Sequence, residues 1–379
     1  MKKVAAGLLS VLLSLVSIEL AGAQKVRIVD GVTVVSNGKK PTPPPRQPAA
    51  YALIEEVALG LSDNPDEAFS EVGTLVVDRA DNIFVLDSKD KKIKIFNSQG
   101  KFERAIGKPG QGPGEVEMPT GIQLTSAGEL LVEDALTRRL SFFKPSGEFL
   151  RHVSFAEKTA LVNLALDSRG NFLGREMGFS GNMMFFEVKK YDSQLKPLFT
   201  LDKIEFPVPL PGSGTKINPL DLISVYQFDG AGNIYYGRNV SYEIKVFNPD
   251  GKHIRSVQKE YDRVKITQAD IDEIIERVGS AAMAGVDWKE MFEFPDYFPP
   301  FQFFVLDEKG RMMVRTFKKG KAKDEYEIDV FDADGRFVAQ VVTKADIRVW
   351  KGEKVYGIEE TGEGLRVVKR YRLAAKSIP

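Results

Sequence analysis

The feature that most constrains this chain is a repeat that begins near Gly73 and continues to the end of the sequence. Each unit has four short apolar runs separated by turns rich in Asp, Asn and Gly. The third run ends in an aromatic residue that precedes an Asn/Asp-x-x-Gly turn. This aromatic recurs at Phe96, Phe143, Tyr191, Phe247 and Phe331, with Tyr371 as a degraded last copy. The first two intervals, 96 to 143 and 143 to 191, are 47 and 48 residues long.

Repeats of roughly 40 to 50 residues with four short strands each are typical of β-propeller blades. Leucine-rich repeats and β-solenoids have shorter units and do not fit. An isolated apolar run, Leu53–Leu59, precedes the first full unit, and the last unit stops after Leu373. We therefore predict an all-β fold, a six-bladed β-propeller that an N-terminal strand closes by completing the last blade. Closure removes the exposed sheet edges that an open array would leave.

The predicted propeller domain, residues 51–379, follows two other segments. Residues 1–23 are typical of a cleaved signal peptide, because Lys2 and Lys3 precede an apolar stretch and a small-residue motif ends at Ala23. The predicted location is the bacterial periplasm or the extracellular medium. Residues 24–50 are predicted to form a β-hairpin around Asp30-Gly31, a pair that favours a type I′ turn, and then a proline-rich linker.

Two inter-blade insertions, residues 202–222 and 258–300, break the period. Both fall in connections on the same face of a propeller, so we expect them to meet there and form a cap. Thr267 and Asp270 form a capping pattern before apolar residues at helical spacing, which predicts a small helical insertion between blades 4 and 5. The aromatic residues that follow, such as Phe292 and Phe298, fit either a lid over a ligand or a seal of the helix onto the propeller. We favour the seal.

The amino-acid composition argues against several classes of partner and of catalytic site. Lys plus Arg and Asp plus Glu are both 53, which argues against nucleic acid or an anionic membrane as the main partner. The absence of cysteine excludes disulfides, thiolate metal sites and cysteine nucleophiles. His152 and His253, the two histidines, are expected on outermost strands, away from the channel. No catalytic residue is predicted, and a Ser-His-Asp mechanism is disfavoured.

Three segments resemble NHL-type repeats, namely residues 110–115, 119–122 and the copy that spans 77–96. Over residues 51–373 the chain resembles the bacterial exported six-bladed β-propellers. The resemblance implies the fold and leaves the function open, because this class includes amidating lyases, streptogramin lyase and ligand-binding or protein-binding modules. Those lyases use histidines at the channel. This sequence offers none there, so no catalytic role is transferred.

The loops between the second and third strands of each blade are expected to rim one mouth of the channel. By position in the repeat, they supply these candidate ligand-binding residues: Asp87, Ser88, Asp134, Arg138, Arg139, Arg175, Glu176, Arg238, Asn239 and Arg315. A ring of carboxylates and guanidiniums can bind a protein, a peptide or a polar small molecule through paired hydrogen bonds. The alternative is that Asp87 and Asp134 cap strand ends and that the arginines pair with them or with solvent.

The leading hypothesis is an exported binding or scaffold module, a monomer without a cofactor, whose site lies at one mouth of the channel. It is not expected to be an enzyme. The alternative is a calcium-dependent propeller hydrolase or lyase, in which Asp87, Asp134 and Glu176 supply oxygen ligands. A third hypothesis is a structural scaffold whose cap binds a partner protein. No stretch beyond the signal is long and apolar enough to span a bilayer.

Overall fold

The computed structural model describes residues 18–19, 24–155, 160–208, 214–281 and 288–376. The predicted signal peptide, apart from its residues 18–19, lies outside these ranges. The N-terminal strands are β1 (Ile18–Glu19), β2 (Lys25–Val29), β3 (Val32–Asn37) and β4 (Ala50–Leu59). Strands β2 and β3 form the predicted hairpin, and both of its turn residues have positive φ, 51° at Asp30 and 78° at Gly31. No helix among the described residues is long and apolar enough to cross a membrane.

Six four-stranded antiparallel blades follow, and the chain belongs to the all-β class, as predicted. Blade 1 contains β5 (Val72–Val77), β6 (Ile83–Asp87), β7 (Lys92–Phe96) and β8 (Phe102–Ile106). Blade 2 contains β9 (Pro119–Leu124), β10 (Leu130–Asp134), β11 (Arg139–Phe143) and β12 (Phe149–Ser154). Blade 3 contains β13 (Ala160–Leu166), β14 (Phe172–Ser180), β15 (Met183–Tyr191) and β16 (Pro197–Pro207).

Blade 4 contains β17 (Ser224–Phe228), β18 (Ile234–Arg238), β19 (Glu243–Phe247) and β20 (His253–Lys259). Blade 5 contains β21 (Phe301–Leu306), β22 (Met312–Lys319), β23 (Tyr326–Phe331) and β24 (Phe337–Thr343). Blade 6 contains β25 (Asp346–Lys351), β26 (Lys354–Glu360), β27 (Arg366–Ala375) and, as its outermost strand, β4. This pairing is consistent with the closure predicted from the sequence.

The ring is closed by contacts between the innermost strands of all neighbouring blades, including blades 6 and 1. A separate buried apolar cluster lies between each pair of adjacent blades. Between blades 6 and 1, for example, Tyr356 and Ile358 pack with Val85 and Phe96. Fully burying one such side chain stabilises the fold by about 1.5–3 kcal/mol. The predicted aromatic landmarks lie in the third strand of each blade. Phe96, for example, lies in β7 and pairs with Ile83 of the second strand, β6.

One face of the disc, here called the turn face, carries the turns between strands one and two and between strands three and four. The carboxylate of Asp167 accepts hydrogen bonds from the backbone N–H of Arg169 and Asn171 and from the Asn171 side chain. The same pattern recurs at Asp78, Asp229 and Asp307. The residue three positions after the capping Asp has a positive φ, for example 83° at Gly170. Glycine adopts such a φ without steric cost, which explains the spacing of Asp and Gly in the repeat.

The opposite face, here called the loop face, carries the loops between strands two and three and the segments that join successive blades. Its two insertions do meet: the backbone N–H of Ile217 donates to the Met291 carbonyl at 3.0 Å, and Leu220 packs with Ile266 and Phe298. The second insertion contains helices α1 (Gln268–Ala281) and α2 (Trp288–Met291), and the first contains the 3-10 helix Pro219–Leu222. Strand β16 extends to Pro207, so the first residues of the interval 202–222 belong to blade 3.

The proline-rich segment that the sequence assigns to a linker is bound to the rim of the disc. Strand β3 pairs in parallel with β20 at the edge of blade 4. The buried Asn37 side chain donates to the carbonyls of Gln258 and Gly335, both at 3.0 Å, and accepts from the Phe337 N–H at 2.8 Å. Residues 38–49 then run past blade 5, where the Thr42 N–H donates to the Phe337 carbonyl at 2.9 Å and the Ala49 carbonyl accepts from the Gln340 N–H at 3.0 Å. The N-terminal segment thus contacts blades 4 and 5 before it enters blade 6 as β4.

Candidate functional site

Three of the predicted ligand-binding residues hold loops in place. Asp87 is fully buried; it accepts from the N–H groups of Ser70 (2.9 Å) and Glu71 (3.1 Å), and Lys94 Nζ lies 3.2 Å from its Oδ2. Asp134, also fully buried, accepts from the N–H groups of Glu117, Leu136 and Thr137. Buried Asn239 donates to the Phe301 carbonyl at 3.2 Å. The Asp87 and Asp134 carboxylates therefore cap backbone N–H groups of the protein itself, whereas the buried Oδ1 of Asn239 has no hydrogen-bond partner among the described residues.

Four further predicted charged residues, Arg138, Arg175, Glu176 and Arg238, lie in blades 2, 3 and 4. The strand register puts Arg175 and Glu176 on opposite faces of blade 3. The Arg175 guanidinium lies 4.7 Å from the centroid of the Phe186 ring, and Glu176 accepts hydrogen bonds from Lys189 and Tyr191, both at 2.9 Å. Arg138, with a φ of 51°, lies in the loop of blade 2, and Arg238 ends β18 in blade 4.

Two further predicted residues bind the backbone of their own blade. The Ser88 hydroxyl contacts the Glu71 carbonyl at 3.3 Å. The Arg139 guanidinium donates to the carbonyls of Gly112 and Glu115 at 3.0 and 3.2 Å. Both contacts fix segments that enter the innermost strands of blades 1 and 2. Several of the predicted ligand-binding groups therefore make contacts within the protein itself.

Arg315, the remaining predicted residue, lines a cleft of about 1280 Å³ on the loop face between blades 5 and 6. Its Nη1 lies 3.4 Å from Asp346 Oδ1, and Arg348 binds the other oxygen of the same carboxylate. The Arg315 guanidinium lies 4.2 Å from the centroid of the Tyr326 ring. Phe303 lies between the two arginines, with its centroid 5.8 Å from Arg315 and 5.6 Å from Arg348. Two guanidiniums are thus oriented by aromatic rings around one carboxylate.

The charge of this cleft is unbalanced. Five cationic and three acidic side chains line it: Arg315, Lys323, Lys344, Arg348, Arg366, Asp324, Asp346 and Glu360. Lys344 reaches Glu359 at 3.3 Å, whereas Lys323 and Arg366 form no salt bridge with another described residue. Burial lowers the pKa of Arg315, and the nearby Asp346 carboxylate opposes that shift. The buried Nε of Arg315 has no hydrogen-bond partner among the described residues. The cleft therefore has an excess of positive charge.

The profile of the DUF5128 family, described as a six-bladed β-propeller, matches residues 64–265. The chain belongs to this family. Its fold is similar to that of a Bacteroides fragilis NCTC 9343 protein named as exported, with 13% identity, a TM-score of 0.55, and coverage of 91% of this chain and 100% of that chain. A DUF4221-family protein from Bacteroides vulgatus ATCC 8482 has 13% identity and a TM-score of 0.52, with 87% and 100% coverage. No curated protein sequence matches significantly.

The three carboxylates considered as calcium ligands lie in different blades, and each one binds other groups of the protein. Asp87 belongs to blade 1 and Asp134 to blade 2, where each is surrounded by backbone donors, while Glu176 in blade 3 binds Lys189 and Tyr191. Across residues 24–155, 160–208, 214–281 and 288–376, no three Asp, Glu or His side chains are arranged to hold a metal ion.

The histidines and the cap aromatics occupy structural positions. His253 follows the turn into β20 and lies 5.1 Å from Phe247, matching the pairs Phe96–Phe102, Phe143–Phe149 and Phe331–Phe337 in other blades. His152 is exposed on the outermost strand β12. Phe292 and Phe298 are buried, and Phe298 stacks on Phe317 with ring centroids 4.3 Å apart. Phe298 therefore packs the second insertion onto blade 5, which is consistent with the favoured interpretation.

Most residues of the cleft were missed by the sequence-based search. Asp346 and Arg348 lie at the start of the innermost strand of blade 6, and Phe303 lies near the start of β21. The segments that enter innermost strands rim the same mouth as the loops between strands two and three, and these loops supply all of the predicted candidates. Applying the positional rule to both kinds of segment would have selected Asp346 and Arg348. The repeat pattern does not indicate which blades carry more cationic than acidic side chains on the loop face.

Proposed function

We propose that this protein is an exported binding module whose ligand site is the cleft between blades 5 and 6. The observation that carries the proposal is the pair of guanidiniums, Arg315 and Arg348, that share the single carboxylate of Asp346. A guanidinium presents several N–H donors in one plane, so each arginine keeps donors for a second acceptor. A ligand with a carboxylate or phosphate group matches the positive excess and the free donors of the cleft.

The rings beside the arginines support this proposal. Tyr326 and Phe303 limit the orientations of both guanidiniums before a ligand arrives, which reduces the entropy lost on binding. The Arg315 side chain is 12% exposed, so its charge is poorly screened by solvent. Preorganised charge on partly buried side chains distinguishes this site from the exposed ion pairs elsewhere on the disc, which typically contribute about 0–1 kcal/mol.

The test is binding of small anions to the purified protein by isothermal titration calorimetry. The probes are glutarate, citrate, inorganic phosphate and phosphoserine, measured at low ionic strength because salt screens such contacts. We expect at least one anion to bind, and Arg315→Gln and Arg348→Gln to weaken it about tenfold or more, equivalent to about 1.4 kcal/mol. Arg336→Gln is the matched control, since Arg336 pairs with Asp334 on the turn face. Loss of binding in the control, or no binding of any probe, would contradict the proposal.

Export is the second part of the proposal. It rests on the basic, apolar and small-residue segments that succeed one another in residues 1–23 and on the absence of cysteine. Expression of the full chain in a bacterium with an outer membrane should place a mature form that begins at Gln24 in the periplasm or the medium. Intact mass measurement of that fraction checks the prediction. A full-length, unprocessed protein in the cytoplasm would contradict export without bearing on the cleft.

A further inference from the structure

Exposed large apolar side chains are unevenly distributed between the two faces of the disc. Six of them lie on the loop face: Leu61, Met118, Leu136, Phe179, Val240 and Leu365. The remaining exposed ones lie on the N-terminal hairpin or on outermost strands, at Ile28, Val29, Ile54, Leu198 and Val342. Among the described residues, none lies in a turn of the turn face. Single exposed apolar residues are ordinary, but their concentration on one face is informative.

The side chains on the loop face are prominently exposed. Phe179 is 62% exposed near the tip of the β14–β15 hairpin, and Leu365 is 50% exposed between Gly364 and Arg366, two residues that line the cleft. Leu365 directly follows a loop in which Thr361, Gly362 and Gly364 line that cleft. A cationic cleft and an apolar side chain are therefore adjacent. A small anion would use the cations alone, whereas a polypeptide can contact both.

We infer that the ligand of the cleft is an acidic segment of a partner protein, in which an apolar residue beside the acidic ones contacts Leu365. This inference rests on the proposed function and names its ligand class. The other apolar side chains lie in loops of blades 1 to 4, too widely distributed for one short peptide. They suit a folded partner seated over the loop face, since a standard interface covers about 800 Å² on each protein.

Charge on the same face favours a protein partner over an anionic lipid surface. The segment from blade 6 to blade 1, residues 60–71, carries Asp63, Asp66, Glu67 and Glu71 and no cation. An anionic membrane would repel this segment, and membrane-surface sites are instead rich in Lys and Arg. A protein can present charges of both signs in the matching positions. The acidic segment of the partner would then face blades 5 and 6 and avoid residues 60–71.

The experiment compares peptides with a small anion. The probes are fluorescein-labelled hexapeptides in which an Asp-Glu pair is flanked on either side by Leu, Phe or Ser, with glutarate as the small-anion reference. Binding is measured by fluorescence anisotropy, with glutarate as a competitor. We expect peptides with an apolar flank to bind at least threefold more tightly than Ser-flanked ones. Leu365→Ser should remove this preference, while Leu198→Ser, 52% exposed on β16, should retain it.

The outcomes separate the inference from the proposed function. Binding of glutarate and peptides that is lost in Arg348→Gln, but is insensitive to the flank and to Leu365→Ser, would overturn the inference and support the proposed function. Absence of both glutarate and peptide binding would overturn both. Co-flotation with phosphatidylglycerol vesicles that depends on Leu365 would overturn the inference in favour of a membrane surface. A flank preference that depends on Leu365 supports a protein segment as the ligand.

Discussion

The two faces of the disc are built from the same repeat but differ in how their connections are formed. On the turn face, short turns recur with Asp or Asn caps and a residue of positive φ, as at Asp167 and Gly170. On the loop face, the connections vary in length, include both insertions and surround the cleft. The turn face thus uses the same kind of capped turn repeatedly, while the connections on the loop face differ in length and structure. Variation on a rigid scaffold is where binding sites are usually found.

The largest predicted effect concerns Asp167 on the turn face. Its carboxylate is buried, accepts three hydrogen bonds and lies 3.4 Å from Lys190 Nζ, a side chain that is 3% exposed. Asp167→Ala would leave that ammonium without its carboxylate, so we expect a loss of about 3–5 kcal/mol in the free energy of unfolding. Urea denaturation followed by tryptophan fluorescence measures it.

Asp192→Ala, in the other turn of blade 3, provides the matched control. Asp192 accepts from the N–H groups of Gln194 and Lys196, and among the described residues no buried cation forms an ion pair with it. We expect a loss of about 1 kcal/mol, the usual net value of such hydrogen bonds. Equal losses in the two variants would show that the buried ion pair adds nothing to the capped turn.

The second effect concerns Glu133, next to Asp134 at the loop-face end of β10. Burial raises the pKa of Glu133 from its ordinary value of 4.5 to about 7, while hydrogen bonds with the Leu164 backbone and the Thr120 side chain oppose this shift. Because the folded-state pKa is raised, the stabilising contribution of the protonated form is complete below pH 4.5 and is lost as pH rises through about 7. The shift corresponds to about 3 kcal/mol.

Glu133→Gln cannot ionise, so its stability relative to the wild type should increase by up to about 3 kcal/mol across that pH window. Urea denaturation of both proteins at about pH 5 and about pH 8 measures the difference. Glu148→Gln is the control, because that exposed turn-face residue pairs with Lys144. A pH-independent difference between Glu133→Gln and the wild type would mean that the raised pKa is wrong. A confirmed effect would show that the loop-face end carries a buried acid without a cationic partner, unlike Asp167.

The features that the sequence predicts well are those that local chemistry repeats. The turns at Asp78 and Asp167 and the third-strand aromatics follow from single residues whose conformational role is the same in every blade. The path of residues 38–49 was not predictable, because proline content indicates stiffness and not where a segment binds. That path depends on Asn37, which contacts blades 4 and 5 far away in sequence. Likewise, the cleft depends on Arg315 and Asp346 from different blades, which no local pattern links.

The third effect tests the cap on the loop face. Thr267 and Asp270 form a reciprocal capping box at the start of α1, with N–H to side-chain distances of 2.9 and 3.3 Å. Thr267→Ala should destabilise this helix by about 1 kcal/mol, while the propeller keeps its denaturation midpoint. Hydrogen exchange should accelerate in residues 268–276 and stay unchanged in β22. A lower midpoint for the whole chain would show that the cap is part of the propeller's cooperative unit, and the distinction between the faces would weaken.

The smallest effect concerns His253, which lies beside the turn face where other blades carry Phe. His253→Phe would restore the aromatic pair with Phe247 but remove the contacts of Nε2 with the Arg255 carbonyl (2.9 Å) and the Ser256 hydroxyl (3.1 Å). The gained aromatic packing and the lost polar contacts have opposite effects on stability, so we expect the free energy of unfolding to change by less than about 1 kcal/mol. The reverse exchange, Phe102→His in blade 1, should be the more destabilising, because Phe102 packs on buried Phe96. Loss of anion binding in His253→Phe would mean that the turn face also contributes to binding, which would contradict the assignment of the binding site to the loop face.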